Sequence, residues 1–225
     1  SNRSVMFDAL LAVVRTLELP AVEAALGDVM AVLHRRGSFV RFAKFCLRQE
    51  IAACQQKTTL FRAGSVFVSI MSLLYKDPAS RAFLQAIVQP VCDSLVQHGV
   101  KLTARASSSF VNSSDEPPFL EIDPAKWNGS MELAAQSLSI LQLHASMLVQ
   151  SVRLGAHLFP PTLRHFLVAL HDEVKVHFPG SEWPVYSSMI FLRFIVPNLI
   201  MPPNAEKLPP GAQKSLVRLA KLMQA

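Results

Sequence analysis

A short polar segment with an arginine near its centre is the first candidate for chemistry in this sequence. Residues 57–65 are Lys-Thr-Thr-Leu-Phe-Arg-Ala-Gly-Ser and lie between two strongly helical patterns. Leu60 and Phe61 can anchor such a loop while it presents Arg62. Ser65 is a good N-cap for the helix that follows, whose first N–H groups form a surface that favours anions. Taken alone, however, an exposed loop arginine is most often an ordinary surface residue.

A second arginine stands in the most apolar stretch of the chain. Residues 189–196 are Met-Ile-Phe-Leu-Arg-Phe-Ile-Val, and Arg193 is the charged residue among them. An unpaired charge buried in such surroundings costs several kcal/mol or more. We therefore expect its guanidinium either to reach solvent or to be paired.

The elements that must position these residues are helices. Apolar residues recur at three- and four-residue spacing along the chain and period-two alternation is not sustained, which predicts an all-α fold, a helical bundle. Glycine and proline fall between the periodic segments, for example at Gly99, whereas Pro90 lies inside one and predicts a kink or a restart. The predicted helices are Val5–Leu17, Ala21–His34, Phe39–Cys54, Ser65–Lys76, Ser80–Gln97, Met131–Leu154, Pro161–Phe178, Val185–Ile195 and Gln213–Gln224.

Composition limits the classes of protein to consider. With 225 residues, 51% of them hydrophobic, the chain is long enough for one large core, so we expect a single domain over residues 1–225. Three cysteines without a C-x-x-C pair and seven histidines without H-E-x-x-H signal neither a disulfide framework nor a metal site. No uninterrupted apolar run approaches the roughly 18 residues of a membrane-spanning helix, because Arg193 and Pro197 interrupt residues 189–200. We expect a soluble, cytoplasmic chain without a secretory signal.

The net charge of +6 favours an acidic partner. Nucleic acid, anionic lipid and the nucleotide-bearing surface of a GTPase all fit this sign. A helix from Gln213 would place Lys214, Arg218 and Lys221 on one face, opposite its apolar residues, as a basic stripe for such a partner.

A series of motifs occurs in the order found in one family. Thr59-Leu60-Phe61-Arg62 with Ser65 after it is similar to the finger-loop motif of Ras GTPase-activating proteins. The later matches are Phe83-Leu84-Gln85 with Pro90, Glu121-Ile122-Asp123-Pro124, Phe159-Pro160-Pro161-Thr162-Leu163-Arg164, Phe191-Leu192-Arg193-Phe194-Ile195-Val196-Pro197, and a last helix with Lys221. Each motif is weak alone, but the ordered series resembles the catalytic domain of this family from about Phe39 to the C-terminus.

The resemblance implies a function and a set of roles. The domain would stimulate GTP hydrolysis by a Ras-family small GTPase in its GTP-bound form and would perform no hydrolysis itself. Arg62 would be the arginine finger, and Arg193 would hold main-chain carbonyls of the finger loop. The residues implied to bind the GTPase are Leu60, Phe61, Ala63, Leu192 and Lys221.

The resemblance also implies an organisation and a setting. Residues 1–36 would be accessory helices and residues 37–225 the catalytic core, with the core's last helices missing. The domain would need no cofactor of its own, since GTP and Mg2+ belong to the partner GTPase. We expect a monomer that binds no nucleic acid and does not insert into a membrane directly, and that flanking domains recruit to the membrane.

Departures from the family pattern keep two alternatives open. Gly64 stands where relatives commonly have asparagine, Val66-Phe67 stands where they have Leu-Ala, and Ser69 stands where they have lysine. A non-catalytic relative that binds a small GTPase as a scaffold or effector therefore remains an alternative. The other alternative, a basic domain for acidic lipid or nucleic acid, is disfavoured because basic residues are dispersed among many helices without interleaved aromatics.

Overall fold

The computed structural model describes residues 2–16, 19–55, 60–61, 65–107, 119–202, 205–209 and 211–224, with the backbone alone at 2–4 and 19–20. Within these ranges every regular element is helical and no strand occurs. The predicted all-α class is confirmed. Residues 62–64, which include Arg62, Ala63 and Gly64, lie outside the described part of the chain.

Ten α-helices are described, together with shorter helical pieces. The α-helices are α1 Asn2–Thr16, α2 Leu19–Arg35, α3 Phe39–Ala53, α4 Val66–Tyr75, α5 Pro78–Ala106, α6 Met131–Leu154, α7 Pro161–His177, α8 Glu182–Ser187, α9 Val196–Ile200 and α10 Ala212–Leu222. Short 3-10 helices span Pro124–Trp127, Gly155–Leu158 and Ala205–Lys207, and a π-helix spans Ser188–Ile195.

These elements form two compact units. One consists of Ser1–Arg81 with Phe159–Ile190, and the other of Ala82–Leu158 with Phe191–Ala225. Whether both belong to one functional domain stays a prediction.

The core of the first unit is built from aromatic rings on α1, α3 and α7. Phe42 is fully buried and meets Phe7 edge to face with ring centroids 5.4 Å apart. Phe39 packs in the same manner against Phe166 at 5.5 Å. Edge-to-face pairs add about 0.5–1.5 kcal/mol beyond the burial of their area. They fix α3, the helix that leads into the Arg62 loop.

The second unit closes around Phe119. A Cβ atom at Gly211 would lie 2.8 Å from the Cβ of Phe119, and one at Gly99 would overlap the Phe119 ring. The Ser215 hydroxyl on α10 donates a 2.8 Å hydrogen bond to the Phe119 carbonyl. Two glycines therefore make room for one aromatic side chain, while α10 holds its backbone.

Helix α5 corrects two expectations. It was predicted to end at Gln97 with Gly99 in a turn, but it continues to Ala106. Gly99 lies inside the helix because the Phe119 ring packs where a side chain would be. The helix also does not restart at Pro90. Pro90 and Ala86 are both exposed, so water can reach the Ala86 carbonyl that proline leaves without its helical partner.

The apolar segment around Arg193 continues beyond its predicted end. The helical run Glu182–Ile200 passes through the π-helix and Pro197, whereas the sequence predicted an end at Ile195. A π-helix widens the turn before proline, and the Asn198 side chain donates a 2.8 Å hydrogen bond to the Phe194 carbonyl. Over an 18-residue window of this 19-residue run the mean hydropathy is 1.2, so the run meets the length and composition of a membrane-spanning helix, contrary to the sequence expectation. This test is weak, because buried core helices pass it too.

Candidate functional site

The Arg62 loop is anchored on its N-terminal side by two buried residues. Leu60 is 9% exposed and Phe61 is 3% exposed. The Phe61 ring packs against Phe67 on α4, with ring centroids 5.5 Å apart and Phe67 fully buried. Phe67, which departs from the family pattern, is therefore the platform for the residue that precedes Arg62.

The backbone at Phe61 adopts the left-handed conformation, with a φ of 57°. A bulky L-residue rarely occupies this region, and the cost is on the order of 1–3 kcal/mol. Burial of the phenyl ring offsets that cost and holds the turn in place. A strained turn directly before an arginine is a feature that functional loops often show.

A hydrogen-bonded cap fixes the loop on its other side. The Ser65 side chain accepts a 3.1 Å hydrogen bond from the Val68 amide, as its predicted N-cap role requires. The same hydroxyl donates to the Glu50 carboxylate near the end of α3. Ser65 thus joins the start of α4 to the end of α3, and residues 62–64 connect two fixed points.

A cavity of about 320 Å³ lies next to both anchors. Its lining includes Leu60, Phe61 and Ser65 together with Arg15 from α1 and Glu50 from α3. It therefore brings one cation and one carboxylate next to the base of the loop. Neither Arg15 nor Glu50 was a candidate from sequence, because no local pattern reports that α1 packs against α3.

Cys46 also lines this cavity but is not a nucleophile. Burial raises the pKa of its thiol to about 12, and the opposing effect of the Arg15 charge is smaller. A thiol with that pKa stays protonated at neutral pH. Within the described residues, no group of three or more His, Cys, Asp or Glu side chains could hold a metal ion.

The other predicted site residues lie in the second unit. Arg193 is half-buried in the π-helix, and the neighbouring Leu192 is 46% exposed. Lys221 is exposed near the end of α10. The carbonyls that Arg193 is predicted to hold lie largely outside the described residues, at 57–59 and 62–63, so its role stays a prediction.

The predicted basic stripe on α10 needs correction at its centre. Arg218 is half-buried and forms an ion pair with Glu121. Its other terminal nitrogen donates a 3.4 Å hydrogen bond to the Leu120 carbonyl. Lys214 and Lys221 are exposed, whereas Arg218 is committed to contacts within its own unit.

Comparison with known proteins identifies the family. A family model described as GTPase-activator protein for Ras-like GTPase matches residues 42–225. The chain belongs to the RasGAP family. The match begins inside α3, and it covers the Arg62 loop and each of the motifs named from sequence.

Named relatives agree with this assignment. The human RasGAP-activating-like protein 1 is 24% identical over 212 residues, which cover 84% of this chain and 24% of that protein. Human Ras GTPase-activating protein 1 is 24% identical over 183 residues, which cover 78% of this chain and 16% of that protein, and its rat counterpart gives the same values. The RasGAP-family chain thus spans a quarter or less of the length of these relatives.

Sequence and structure agree on the residues that anchor the Arg62 loop. The sequence named Leu60 and Phe61 both as anchors and as GTPase contacts. The structure buries both, which supports the anchoring role, and their contact with a GTPase stays a prediction. The Glu50 contribution was missed, since it depends on which helices pack together.

Proposed function

We propose that this RasGAP-family domain accelerates GTP hydrolysis by a Ras-family small GTPase, and that Arg62 is the arginine finger. The observation that carries the proposal is the double fixation of its loop. The buried Phe61 holds one side on Phe67, and the capped Ser65 holds the other on Glu50. Family membership and the T-L-F-R motif give that loop its function.

The geometry suits an arginine delivered from outside the GTPase. Phosphoryl transfer from GTP to water develops charge on the γ-phosphoryl oxygens and on the bridging oxygen. The planar guanidinium of Arg62 would donate two hydrogen bonds to those oxygens together through a fixed fork that the ammonium of a lysine lacks. Mg2+ and GTP are bound by the GTPase, so the domain needs only a pre-positioned side chain.

Holding the flanks of residues 62–64 in advance lowers the cost of placing Arg62. A loop that had to be ordered on binding would lose on the order of 1–2 kcal/mol of backbone entropy per residue. In the free domain, both flanks of residues 62–64 are already held by packing and hydrogen bonds. The binding free energy can then favour the transition state rather than loop ordering.

Single-turnover hydrolysis tests this proposal. A panel of GTP-loaded Ras-like GTPases is mixed with wild-type domain, Arg62→Ala and Arg62→Lys. Wild type should accelerate at least one of them, and Arg62→Ala should lose on the order of 10³-fold or more of that acceleration. Arg62→Lys should recover little of it, because an ammonium lacks the planar fork.

Arg15→Ala is the matched control. Arg15 lines the cavity beside the loop, so its loss removes the same charge from the same region. It should retain most of the acceleration. Loss with Arg15→Ala and retention with Arg62→Ala would transfer the catalytic role to Arg15. Binding of a GTP-loaded partner without any acceleration would replace the proposal with the scaffold or effector alternative.

A further inference from the structure

A basic cavity lies at the opposite end of α3 from the Arg62 loop. Its volume is about 550 Å³, within the usual range for ligand pockets. Among the described residues, its lining contains four cations and no carboxylate. The cations are Arg36, Arg41, Lys44 and Arg48. The sequence did not predict that these side chains form a cluster.

Helical spacing explains how they converge. Arg41, Lys44, Phe45 and Arg48 occupy positions i, i+3, i+4 and i+7 of α3, so they share one face. This face interleaves an aromatic ring with cations, which corrects the expectation that the basic residues lack interleaved aromatics. Arg48 pairs with Glu173. In the described part of the chain, Arg36, Arg41 and Lys44 form no ion pair.

The start of α3 adds to the positive potential. Ser38 lines the cavity and precedes the helix, but its hydroxyl donates to the Arg36 carbonyl and caps no amide of α3. No acidic residue stands in the first turn. The partial positive charge of the helix terminus is therefore added to that of the four cations.

Apolar side chains complete the cavity. Phe7 is buried and packs against Phe45, with ring centroids 5.8 Å apart. Met6 also lines the cavity and is 37% exposed, and its neighbour Val5 is 67% exposed. The cavity thus combines concentrated positive charge with an exposed apolar rim.

We propose that this cavity binds the phosphorylated headgroup of an anionic membrane phospholipid. The cations match the phosphate oxygens, and Met6 and Val5 match the acyl-chain region next to the headgroup. A free nucleic acid strand fits less well, since Phe7 is buried and the Phe45 ring already packs against it at a tilt. This lipid contact is made by the domain itself, without membrane insertion.

The site is separate from the proposed finger. The cavity is lined along α3 from Ser38, just before the helix, to Arg48, whereas the Arg62 loop follows the end of the helix at Ala53. A lipid held at the cavity would therefore leave Arg62 available to a GTPase on the same membrane. The inference does not depend on Arg62 being catalytic.

Co-sedimentation with vesicles tests the proposal. Vesicles of phosphatidylcholine alone are compared with vesicles that also contain a minor fraction of phosphatidylinositol bisphosphate. Wild type should sediment only with the second kind. Arg41→Glu/Lys44→Glu should weaken this binding on the order of tenfold or more, whereas Lys101→Glu/Lys126→Glu, the same charge change at exposed residues of the second unit, should weaken it much less. Arg41→Gln/Lys44→Gln is a milder second variant in case charge reversal impairs folding.

Two further arms separate lipid from other anions. Met6→Ser should weaken vesicle binding but leave binding of soluble inositol trisphosphate unchanged, because only the lipid engages the apolar rim. Binding to inositol trisphosphate without binding to vesicles would overturn the membrane assignment. Tighter binding to single-stranded RNA than to the vesicles would also overturn it. The same holds if Arg41→Glu/Lys44→Glu and Lys101→Glu/Lys126→Glu lose vesicle binding to an equal extent. In solution, Arg41→Glu/Lys44→Glu should accelerate GTP hydrolysis as wild type does.

Discussion

Two motif segments, residues 60–65 and residues 119–121, each contain a turn with left-handed backbone that a buried aromatic ring holds in place. Each places a residue other than glycine in the left-handed region, Phe61 with φ 57° and Leu120 with φ 45°. Each also buries an aromatic ring, Phe61 in the first segment and Phe119 in the second. Both are therefore strained turns held by aromatic packing.

The two segments differ in which residues hold the turn. In the second segment Glu121 pairs with Arg218, and its carbonyl accepts a 2.6 Å hydrogen bond from the Trp127 indole. In the first, the anchors are Phe61 and Ser65, on either side of Arg62. In the second segment a motif charge thus serves the fold, whereas in the first the described anchors are the residues that flank the motif arginine.

The largest effect on stability is expected at the first anchor. Phe61→Ala should destabilise the domain by about 3–5 kcal/mol, since it removes a buried ring and retains an unfavourable backbone conformation. Denaturant unfolding measures this change, with Phe61→Leu as the milder control. Because Phe61 packs on Phe67, the Phe61→Ala/Phe67→Ala pair should be non-additive. Additive losses would contradict the anchoring of Phe61 by Phe67.

The packing of Phe119 in the second segment is tested by a substitution at Gly99. Helix propensity alone predicts that Gly99→Ala stabilises α5 by about 1 kcal/mol. The Phe119 ring occupies the space that the new methyl group needs, and overpacking costs about 1–3 kcal/mol. We expect net destabilisation, seen as a lower Tm. As a control, Gly27→Ala lies in α2 with open space around its Cβ position and should raise the Tm. A higher Tm for Gly99→Ala would contradict the packing of Phe119 on α5.

A smaller effect is expected at the cap of the Arg62 loop. Ser65→Ala removes the acceptor for the Val68 amide and the donor to Glu50, and should cost about 1 kcal/mol. GTPase acceleration should fall more than in Ser130→Ala, which removes the matching cap of α6 in the other unit. Equal acceleration by the two variants would show that the cap does not position Arg62.

Local patterns made much of this architecture predictable. Unbroken helical periodicity gave the all-α class and the approximate bounds of most helices, and the motif order gave the family. Gly99 was misplaced because glycine was interpreted by its backbone freedom, whereas here it makes room for Phe119, more than a dozen residues away in sequence. Pro197 was taken as a helix end because the π-helix before it leaves no sequence signature.

The candidate site also contains residues that local sequence patterns predict and residues that only packing between helices brings in. Leu60, Phe61 and Ser65 were predictable because they are neighbours of Arg62 and have local roles. Glu50 and Arg15 were not, since they reach the loop through packing between helices. The basic cavity could have been found from positions 41, 44, 45 and 48, which share one helical face, but not the contribution of Phe7 from α1.

Formation of a transition-state complex tests the central claim most directly. GDP with aluminium fluoride imitates the transferring phosphoryl group, and a supplied arginine stabilises that state rather than the ground state. Wild type and Arg41→Glu/Lys44→Glu should each form a stable complex with the responsive GTPase on size-exclusion chromatography. Arg62→Ala should form none while its unfolding curve stays unchanged. A complex with Arg62→Ala as stable as that of wild type would contradict the assignment of Arg62 as the finger.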